Sequence, residues 1–485
     1  MVMEGNRLHV VVVGGGIAGL AAAWFLRQGG GDALRVTVLE GSPRVGGKLH
    51  ATEVAGVSLD EGAEAMLARR PEGKDLVRML GLSDELVYPG STQASILSRG
   101  ALRPMPKGHV MGVPSDLMAL ARSGVLSPAG LARVPLDQIL PATRVSTDVS
   151  VAAYIRARMG SEVVDRLIEP MLGGVYAGRA ETLSLHATMP MLATPARTER
   201  SLLNAARAIA GAPKQTGPVF TTLRGGLGAL PPAIAAASGA DVRTGVTVRE
   251  LRRVEGGWRL VTGPVPDPSV IEADAVVVAT PAPSATRLLA ADVPGASAEL
   301  SRIAYASMAI VTLAYPRGAF PEPPAGSGYL VPPVEGRSIK AATFSTVKWP
   351  HLTEADPNLI LVRCSIGRLG DEHELHRDDT ELVALAMKEM SEVMGVRGLP
   401  RDTRVTRWGG ALPQYDVGHL DRVARIRAAV AGAPGLAVCG AAYDGVGVPA
   451  CVATAREAAA RILDHLDPAR QWQQAISPTK VTEGL

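Results

Sequence analysis

The chain has 485 residues, 47% of them hydrophobic and 20% charged, a length too great for one compact core and a composition that excludes a disordered protein. Its 50 basic and 47 acidic side chains leave a net charge of +3, so nothing predicts the concentrated basic face that a nucleic-acid partner requires. The cysteines, Cys364, Cys439 and Cys451, are widely spaced, which excludes a disulfide framework and favours a reducing, cytoplasmic location.

The first 65 residues follow the pattern strand, glycine turn, helix, strand. Residues 10–13 are four valines, which predict a buried strand, and the Ala-rich residues 17–26 predict a helix packed on it. A second strand follows at residues 36–40, so we expect a βαβ unit with a right-handed crossover. Residues 8–26 are long enough to cross a bilayer, but glycines divide them, and no membrane span is predicted.

The remainder of the chain divides into regions that differ in amino-acid composition and hydrophobic pattern. Between residues 103 and 213 Met, Leu, Ala and Pro dominate, and the prolines break the helical spacing, which predicts a lobe of short helices. Residues 284–400 predict longer strands and two helices. Apolar strands are predicted at residues 242–248, 275–279 and 435–440, and an Ala-rich helix at residues 450–466.

A glycine-rich turn joins the first strand to the first helix. The GxGxxG pattern there is formed by Gly14, Gly15, Gly16, Ile17, Ala18 and Gly19. In this context the first glycine makes a tight turn, the second lets backbone N–H groups approach a pyrophosphate, and the third permits close helix–strand packing. Glu40 ends the next strand, where a carboxylate accepts hydrogen bonds from ribose hydroxyls. Together they predict a dinucleotide site.

The loop after Glu40 narrows this prediction. Gly41, Arg44, Gly47 and Lys48 belong to the sequence EGSPRVGGK, which resembles the E-x3-R-x-G-G-R/K extension of the flavin amine oxidase superfamily. A glycine pair allows a second close backbone approach, and Arg44 and Lys48 offset phosphate charge. The resemblance implies FAD as the cofactor.

Further segments extend the resemblance along the chain. Residues 60–65 stand where the superfamily has its second flavin-contacting turn, and Val248 where a strand meets the adenine end. Residues 173–178, 408–419 and 440–448 resemble segments of the oxygen-dependent protoporphyrinogen oxidases. The flavin contacts that the resemblance implies here are Gly62, Ala63, Glu64, Ala65, Val248, Trp408, Gly440, Val446, Gly447 and Val448.

The resemblance also implies an activity: oxidation of protoporphyrinogen IX to protoporphyrin IX in haem biosynthesis. It would proceed in three two-electron steps through FAD, with dioxygen as acceptor, hydrogen peroxide as product and diphenyl ethers as inhibitors. No catalytic His or carboxylate pair is identified, which agrees with a ring that loses its own nitrogen protons. The implied ring contacts are Gly174, Val175, Tyr329 and Leu330. Arg99 and Arg103 are candidates for the propionates, although each also fits a surface position.

The implied fold is α/β (α+β): a Rossmann-like FAD domain in three segments, a mixed-sheet substrate domain and an inserted helical lobe, as in flavin amine oxidases. FAD is expected to be non-covalent, since Tyr443 follows two alanines and Cys439 lies on the strand before the C-terminal loop. The predicted segments are 1–65, 214–283 and 401–470 for FAD, 66–102 and 284–400 for substrate, 103–213 for the insertion and 471–485 for a C-terminal tail.

Several alternatives stay open at this point. The same scaffold suits oxidation of coproporphyrinogen or an amine, desaturation of a carotenoid, or an escort-like or dissociation-inhibitor-like protein that binds prenylated partners without flavin chemistry. The apolar insertion fits a membrane-docking lobe at the inner face of the cell membrane or a helical lid, and a homodimer is undecided. No metal site is predicted, because His373 and His376 lie in a charged run typical of a solvated helix face.

Overall fold

The computed structural model describes residues 7–143, 147–212 and 217–467, so the predicted tail at 471–485 lies outside the described residues. The strands are β1 (Leu8–Val13), β2 (Leu34–Leu39), β3 (Ala51–Val54), β4 (Val57–Asp60), β5 (Met66–Leu67), β6 (Leu86–Val87), β7 (Ser95–Ser98), β8 (Ala101–Pro104), β9 (His109–Val110), β10 (Val113–Pro114), β11 (Phe220–Leu223), β12 (Asp241–Arg243), β13 (Val248–Val254), β14 (Gly257–Thr262), β15 (Ser269–Ala273), β16 (Ala275–Val278), β17 (Tyr305–Pro316), β18 (Gly328–Leu330), β19 (Ile339–Phe344), β20 (Leu359–Ile366), β21 (Asp402–Pro413) and β22 (Leu436–Val438). The helices are α1 (Ile17–Gly30), α2 (Pro71–Met79), α3 (Leu117–Ser123), α4 (Pro128–Arg133), α5 (Val151–Met159), α6 (Ser161–Val163), α7 (Glu169–Tyr176), α8 (Leu185–Thr188), α9 (Pro190–Thr198), α10 (Leu202–Gly211), α11 (Leu230–Ser238), α12 (Ala282–Leu289), α13 (Pro294–Leu300), α14 (Ser345–Lys348), α15 (Pro350–Ala355), α16 (Asp379–Met394), α17 (His419–Ala431) and α18 (Val448–Leu466).

A parallel sheet of five strands in the order β12-β2-β1-β16-β22 carries the N-terminal βαβ unit. The central strands β1 and β16 are almost wholly apolar because both faces of the sheet are covered there, and Val10, Val11 and Val12 are fully buried. On one face α1 packs against α11 and α18. The other face of the parallel sheet is covered by α12, α13 and α17 and by the three-stranded sheet β13-β14-β15. The mixed α/β prediction is confirmed, and the sheet draws its strands from three separate stretches of the chain.

One predicted strand, at residues 242–248, is two strands in different sheets. β12 pairs with β2, whereas β13 begins at Val248 and pairs with β14. Between them Gly245 turns the chain with a φ of 70°, and its N–H donates to the Ser42 carbonyl at 2.8 Å. The prediction of one strand was wrong because its apolar residues bracket a glycine whose left-handed conformation ends it.

The second large sheet has seven strands in the order β21-β17-β20-β19-β18-β7-β8. All its pairings are antiparallel except β18 with β7, and α16 covers one face through Leu382, Ala386 and Met390. β21 belongs to this sheet by hydrogen bonding, although residues 401–470 were grouped with the FAD segments. The division of the chain at the predicted boundaries stays a prediction.

Between β8 and β11 the chain forms the small pairing β9–β10 and helices α3 to α10. Their core is apolar and includes a fully buried ion pair, in which Arg158 Nε lies 2.5 Å from Asp137 Oδ1. Arg158 also donates to the carbonyls of Asp137, Pro141 and Arg200, so it fixes the loop after α4. Across residues 7–143, 147–212 and 217–467, no helix has the length and apolar character needed to span a bilayer.

Candidate active site

A cavity of about 590 Å³ opens at the carboxyl ends of the parallel strands. Val13, Leu39 and Ala279 line it where β1, β2 and β16 end, and residues of β17 and β21 in the seven-stranded sheet line it as well. Ligands of open parallel sheets bind at this edge because the strand–helix loops and helix N-termini meet there. The cavity therefore lies where the sequence motifs predicted a dinucleotide.

The glycine loop has the geometry that the motif requires. A Cβ at Gly19 would lie 1.8 Å from the Gly14 carbonyl oxygen, whereas a Cβ at Gly16 would meet nothing within 4 Å. Gly19 thus allows α1 to pack on β1, and Gly16 leaves open space toward the cavity. Gly15 N–H donates to Glu40 Oε2 at 2.6 Å and Ser42 N–H to Glu40 Oε1 at 2.8 Å, which leaves the carboxylate capacity to accept from a ligand.

The loop after Glu40 docks on the glycine turn. Gly46 N–H donates to the Gly15 carbonyl at 2.8 Å, and Gly46 and Gly47 both have positive φ. Lys48 lines the cavity without an ion-pair partner among the described residues, and burial lowers its pKa. Arg44 does not reach the cavity, because its guanidinium donates to the carbonyls of Val45 at 3.3 Å and Gly47 at 3.1 Å.

Most of the predicted contact residues come together around this cavity. Those that line it are Gly14, Gly16, Ile17, Ala18, Glu40, Gly41, Gly47, Lys48, Gly62, Ala63, Ala65, Val248, Trp408, Gly440, Val446, Gly447, Val448, Gly174 and Val175. Those outside its lining are Gly15, Gly19, Arg44, Glu64, Tyr329, Leu330 and Arg99.

Glu64 lies in the turn at residues 60–65, and its side chain is outside the cavity lining. It accepts from Lys348 Nζ at 2.5 Å and Arg363 Nη1 at 2.6 Å, and Arg363 also donates to the Gly62 carbonyl at 2.6 Å. Burial acts to raise the pKa of Glu64, but the charges of Lys348 and Arg363 outweigh it and hold the pKa at about 2. On the cavity side, Trp408 Nε1 donates to the Glu61 carbonyl at 3.1 Å. The turn is therefore fixed from both sides.

The predicted substrate residues divide between the cavity and the core behind it. Gly174 and Val175 line the cavity from α7, and Leu330 Cδ2 lies 3.7 Å from the Cβ position of Gly174. Tyr329, next to Leu330 on β18, points to the opposite face, where its hydroxyl lies 3.4 Å from Met390 Sδ. That opposition follows from the alternation of side chains along a strand.

Neither arginine proposed for the propionates reaches the cavity. Arg99 occupies the turn between β7 and β8 with a φ of 53°, and its guanidinium donates to the Gly124 carbonyl at 2.6 Å. Its backbone N–H donates to Glu335 Oε1 at 2.9 Å, while Arg103 Nε donates to the Ser98 carbonyl at 3.1 Å. Both side chains hold the hairpin and its neighbours, which the sequence pattern did not reveal.

Several lining residues were not singled out from the sequence. Met308 and Ile310 reach the cavity from alternate positions of β17, but β17 is apolar at nearly every position, so alternation gave no signal. Other lining residues of this kind include Leu49, Val246, Thr280, Pro281, Ser284, Arg287, Leu288, Tyr305 and Cys451. Of the described residues that line the cavity, Lys48 and Arg287 are basic and Glu40 is the sole carboxylate, a balance that suits a diphosphate beside an apolar space.

Residues 17–463 match the model of the family of flavin containing amine oxidoreductases. The chain belongs to this family. It is therefore a flavin oxidoreductase with FAD as its cofactor, and the resemblance to the flavin amine oxidases is confirmed. The open space at Gly16 and the unpaired Lys48 fit the phosphates of such a dinucleotide.

Several members of the family align over nearly the whole chain. Coproporphyrinogen III oxidase of Mycobacterium tuberculosis is 40% identical, over 94% of this chain and 97% of the relative, and that of Bacillus subtilis is 34% identical, over 96% and 100%. Protoporphyrinogen oxidase of Bos taurus is 30% identical, over 94% and 98%.

Solved structures agree with this family assignment. A protein from Exiguobacterium sp. 255-15, provisionally described as a protoporphyrinogen oxidase, superposes with a TM-score of 0.84 at 32% identity, over 94% of this chain and 99% of that one. Cyclohexylamine oxidase from Brevibacterium oxydans has a TM-score of 0.69 at 18% identity, over 95% and 100%, and shows the shared fold alone.

Proposed function

We propose that this flavin oxidoreductase oxidises a porphyrinogen to the corresponding porphyrin in haem biosynthesis, with dioxygen as acceptor and hydrogen peroxide as product. The observation that carries the proposal is the composition of the cavity wall. Next to the dinucleotide loops, the wall is formed by the glycine and valine of α7 and by apolar residues of β17 and β21. The macrocycle of a porphyrinogen is broad and largely apolar, with its carboxylates at the periphery, so an aliphatic wall beside the redox cofactor suits it.

Among porphyrinogens we propose coproporphyrinogen III as the preferred substrate and protoporphyrinogen IX as the second candidate. The relatives of Mycobacterium tuberculosis and Bacillus subtilis that are named for coproporphyrinogen are 40% and 34% identical, whereas the Bos taurus relative named for protoporphyrinogen is 30% identical. This reverses the order in which the sequence motifs alone placed the two substrates.

The roles of the residues follow from their places around the cavity. FAD, when bound, supplies the two-electron chemistry. Gly174, Val175 and Met308 exclude water and hold the ring by apolar contact. Tyr305 accepts from the Ala282 N–H at 2.9 Å, and burial raises its pKa to about 12, so it stays neutral. Since Glu40 belongs to the dinucleotide part, we assign no lining carboxylate as a base and let the pyrrole nitrogens release their own protons.

We also propose that the flavin is held without a covalent bond. Cys439 is fully buried, and its thiol points to the Ala18 carbonyl at 3.9 Å. Cys451 does line the cavity, but burial raises its pKa to about 11. The thiolate that a covalent attachment requires is therefore scarce at neutral pH.

Purified protein given fresh coproporphyrinogen III or protoporphyrinogen IX in air tests these proposals. We expect porphyrin fluorescence and hydrogen peroxide to appear with both, faster with coproporphyrinogen III, and flavin to enter the supernatant after acid precipitation. Apoprotein freed of flavin is the control and should leave both substrates at the non-enzymatic rate. A yellow protein that oxidises neither would contradict the porphyrinogen proposal, and amines and carotenoids would then be assayed.

A further inference from the structure

Three segments that are distant in sequence meet in one buried cluster. These are residues 173–178 around the end of α7, residues 408–419, and the loop at residues 440–448. At their junction lie the side chains of Gln414, Tyr415 and His419, which we call the clasp. All three are between 0% and 1% exposed.

On one side the clasp holds the C-terminal flavin loop. The Tyr415 hydroxyl donates to the Ala441 carbonyl at 2.5 Å, and Ala441 lines the cavity. His419 Nε2 lies 2.9 Å from the Tyr443 carbonyl, and its ring stacks on Tyr415 with centroids 4.0 Å apart and planes 14° from parallel. Burial lowers the pKa of His419 to about 4, so a neutral ring carries its proton on Nε2, toward the carbonyl.

On the other side the clasp holds α7. Gln414 Nε2 donates to the Tyr176 carbonyl at 2.8 Å, at the last residue of the helix that carries Gly174 and Val175. The Tyr176 ring lies 5.6 Å from that of Tyr415. A Cβ at Gly178 would lie 2.1 Å from Gln414 Oε1, so the glycine lets the amide approach the end of the helix.

The polar character of the cluster distinguishes it from ordinary core packing. Gln414 Oε1 and His419 Nδ1 are buried and have no hydrogen-bond partner within the described part of the chain. Such atoms are costly in an apolar core. The polar side chains make four hydrogen bonds to backbone carbonyls. Three of these bonds end on the flavin loop or on α7, and the fourth joins Gln414 Nε2 to the Leu412 carbonyl at 3.0 Å.

We propose that Gln414, Tyr415 and His419 are positioning residues that couple the flavin loop to the substrate-side helix, so that a ligand at one part of the cavity changes the affinity at the other. Such coupling is reciprocal, and a factor of about 5 to 150 is typical. The inference rests on the proposed function for its second ligand, a porphyrin. Its first ligand, FAD, follows from the family to which the chain belongs.

The test is a titration of apoprotein with FAD, followed by quenching of flavin fluorescence, with and without saturating coproporphyrin III. In the wild-type protein we expect the porphyrin to lower the Kd of FAD by about tenfold. Tyr415→Phe removes a single hydroxyl and keeps the ring stack. This variant should raise the Kd of FAD by about two- to tenfold. The ratio of the Kd values of FAD without and with porphyrin, which we call the porphyrin effect, should fall close to one. Gln414→Met, which removes the bond to α7, should reduce the porphyrin effect and change the Kd of FAD less.

Tyr315→Phe is the matched control, because Tyr315 is equally buried but lies in the core of the seven-stranded sheet. It should leave both quantities at wild-type values, and thermal melting checks that each variant folds. Wild-type values in Tyr415→Phe and Gln414→Met would overturn the inference, as would a wild-type protein that binds both ligands without coupling. A wild-type protein that neither binds the porphyrin nor oxidises the porphyrinogen refutes the proposed function instead, and the clasp is then judged on the affinity for FAD.

Discussion

Gly16 and Gly19 lie three residues apart in one turn, yet each is a glycine for a different reason. The Cβ position of Gly19 is occupied by the Gly14 carbonyl oxygen, and that of Gly16 is open space beside the cavity. The first condition concerns the packing of α1 on β1, which the protein needs in order to fold. The second concerns the approach of a ligand.

Alanine at each position should therefore separate folding from binding. We expect Gly19→Ala to be insoluble or to melt far below the wild-type protein, because the new methyl group would lie 1.8 Å from a backbone oxygen. Gly16→Ala should melt like wild-type apoprotein but bind FAD more weakly by about 1–3 kcal/mol, or roughly five- to 150-fold. Circular dichroism and FAD titration measure the two effects. A Gly16→Ala protein with wild-type affinity would exclude Gly16 from the contact with the pyrophosphate.

At this scale the sequence located the turn that faces the cavity, whereas the flavin contacts assigned to individual residues stay a prediction. The glycine loop and Glu40 could be placed because their spacing encodes a local turn whose geometry is fixed by the backbone. Arg44, Arg99 and Glu64 could not, since the direction of a long charged side chain depends on partners distant in sequence, such as Lys348 for Glu64.

Between secondary-structure elements, the ion cluster around Glu64 joins the turn after β4 to α14 and β20. Its members come from positions about 300 residues apart in the chain, and Arg363 is 7% exposed. An ion pair at such a depth contributes less to net stability than its charges suggest, but removing one partner leaves the other charges uncompensated.

We expect Glu64→Gln to lower the free energy of unfolding by about 3–5 kcal/mol, because the buried Arg363 and the half-buried Lys348 would lose their carboxylate. Glu272→Gln is the control. It breaks the exposed pair with Arg259, whose side chains are 65% and 49% exposed, and should cost at most about 1 kcal/mol. Urea unfolding followed by circular dichroism gives both values. Equal costs for the two variants would show that the Glu64 cluster is effectively solvated.

Elements themselves were predicted where their pattern is local. The buried run of β1, the Ala-rich α1 and α18, and β16 all lie where hydrophobic periodicity placed them. The sequence did not predict which strands pair with each other. β21 pairs with β17 across about 100 residues of chain, and the hydrophobic pattern of a strand does not specify its pairing partner.

For the whole molecule, the buried Lys340 makes stability depend on pH. It lies at an irregularity of β19, between the paired residues Ile339 and Ala341, is 2% exposed, and donates to the Gly367 carbonyl at 2.6 Å. Burial, with a contribution from Arg368, lowers its pKa from 10.5 to about 7. Between pH 7 and 10.5 the folded state thus holds fewer protons here than the unfolded state, and stability rises with pH across that window.

Replacing Lys340 with Met should remove this dependence. We expect the variant to gain most over the wild-type protein at pH 7 and below, where folding must bury or neutralise the ammonium group. The gain should shrink toward pH 10 by up to about 1.4 kcal/mol per pH unit. Differential scanning fluorimetry from pH 6 to 10 measures it, and Lys388→Met on the exposed face of α16 is the control. A gain that is constant with pH would mean that Lys340 titrates normally.

The segmented five-stranded sheet also constrains when the protein can acquire its cofactor during synthesis. β1 and β2 leave the ribosome more than 200 residues before β16, and β22 and α18 follow later still. Until then the sheet has an unpaired edge at β16, and the walls contributed by residues 440–448 do not exist. The nucleotide site therefore stays unfinished until residues 440–448 have emerged, and before that the edge at β16 is open to pairing with other strands unless the flanking lobes cover it.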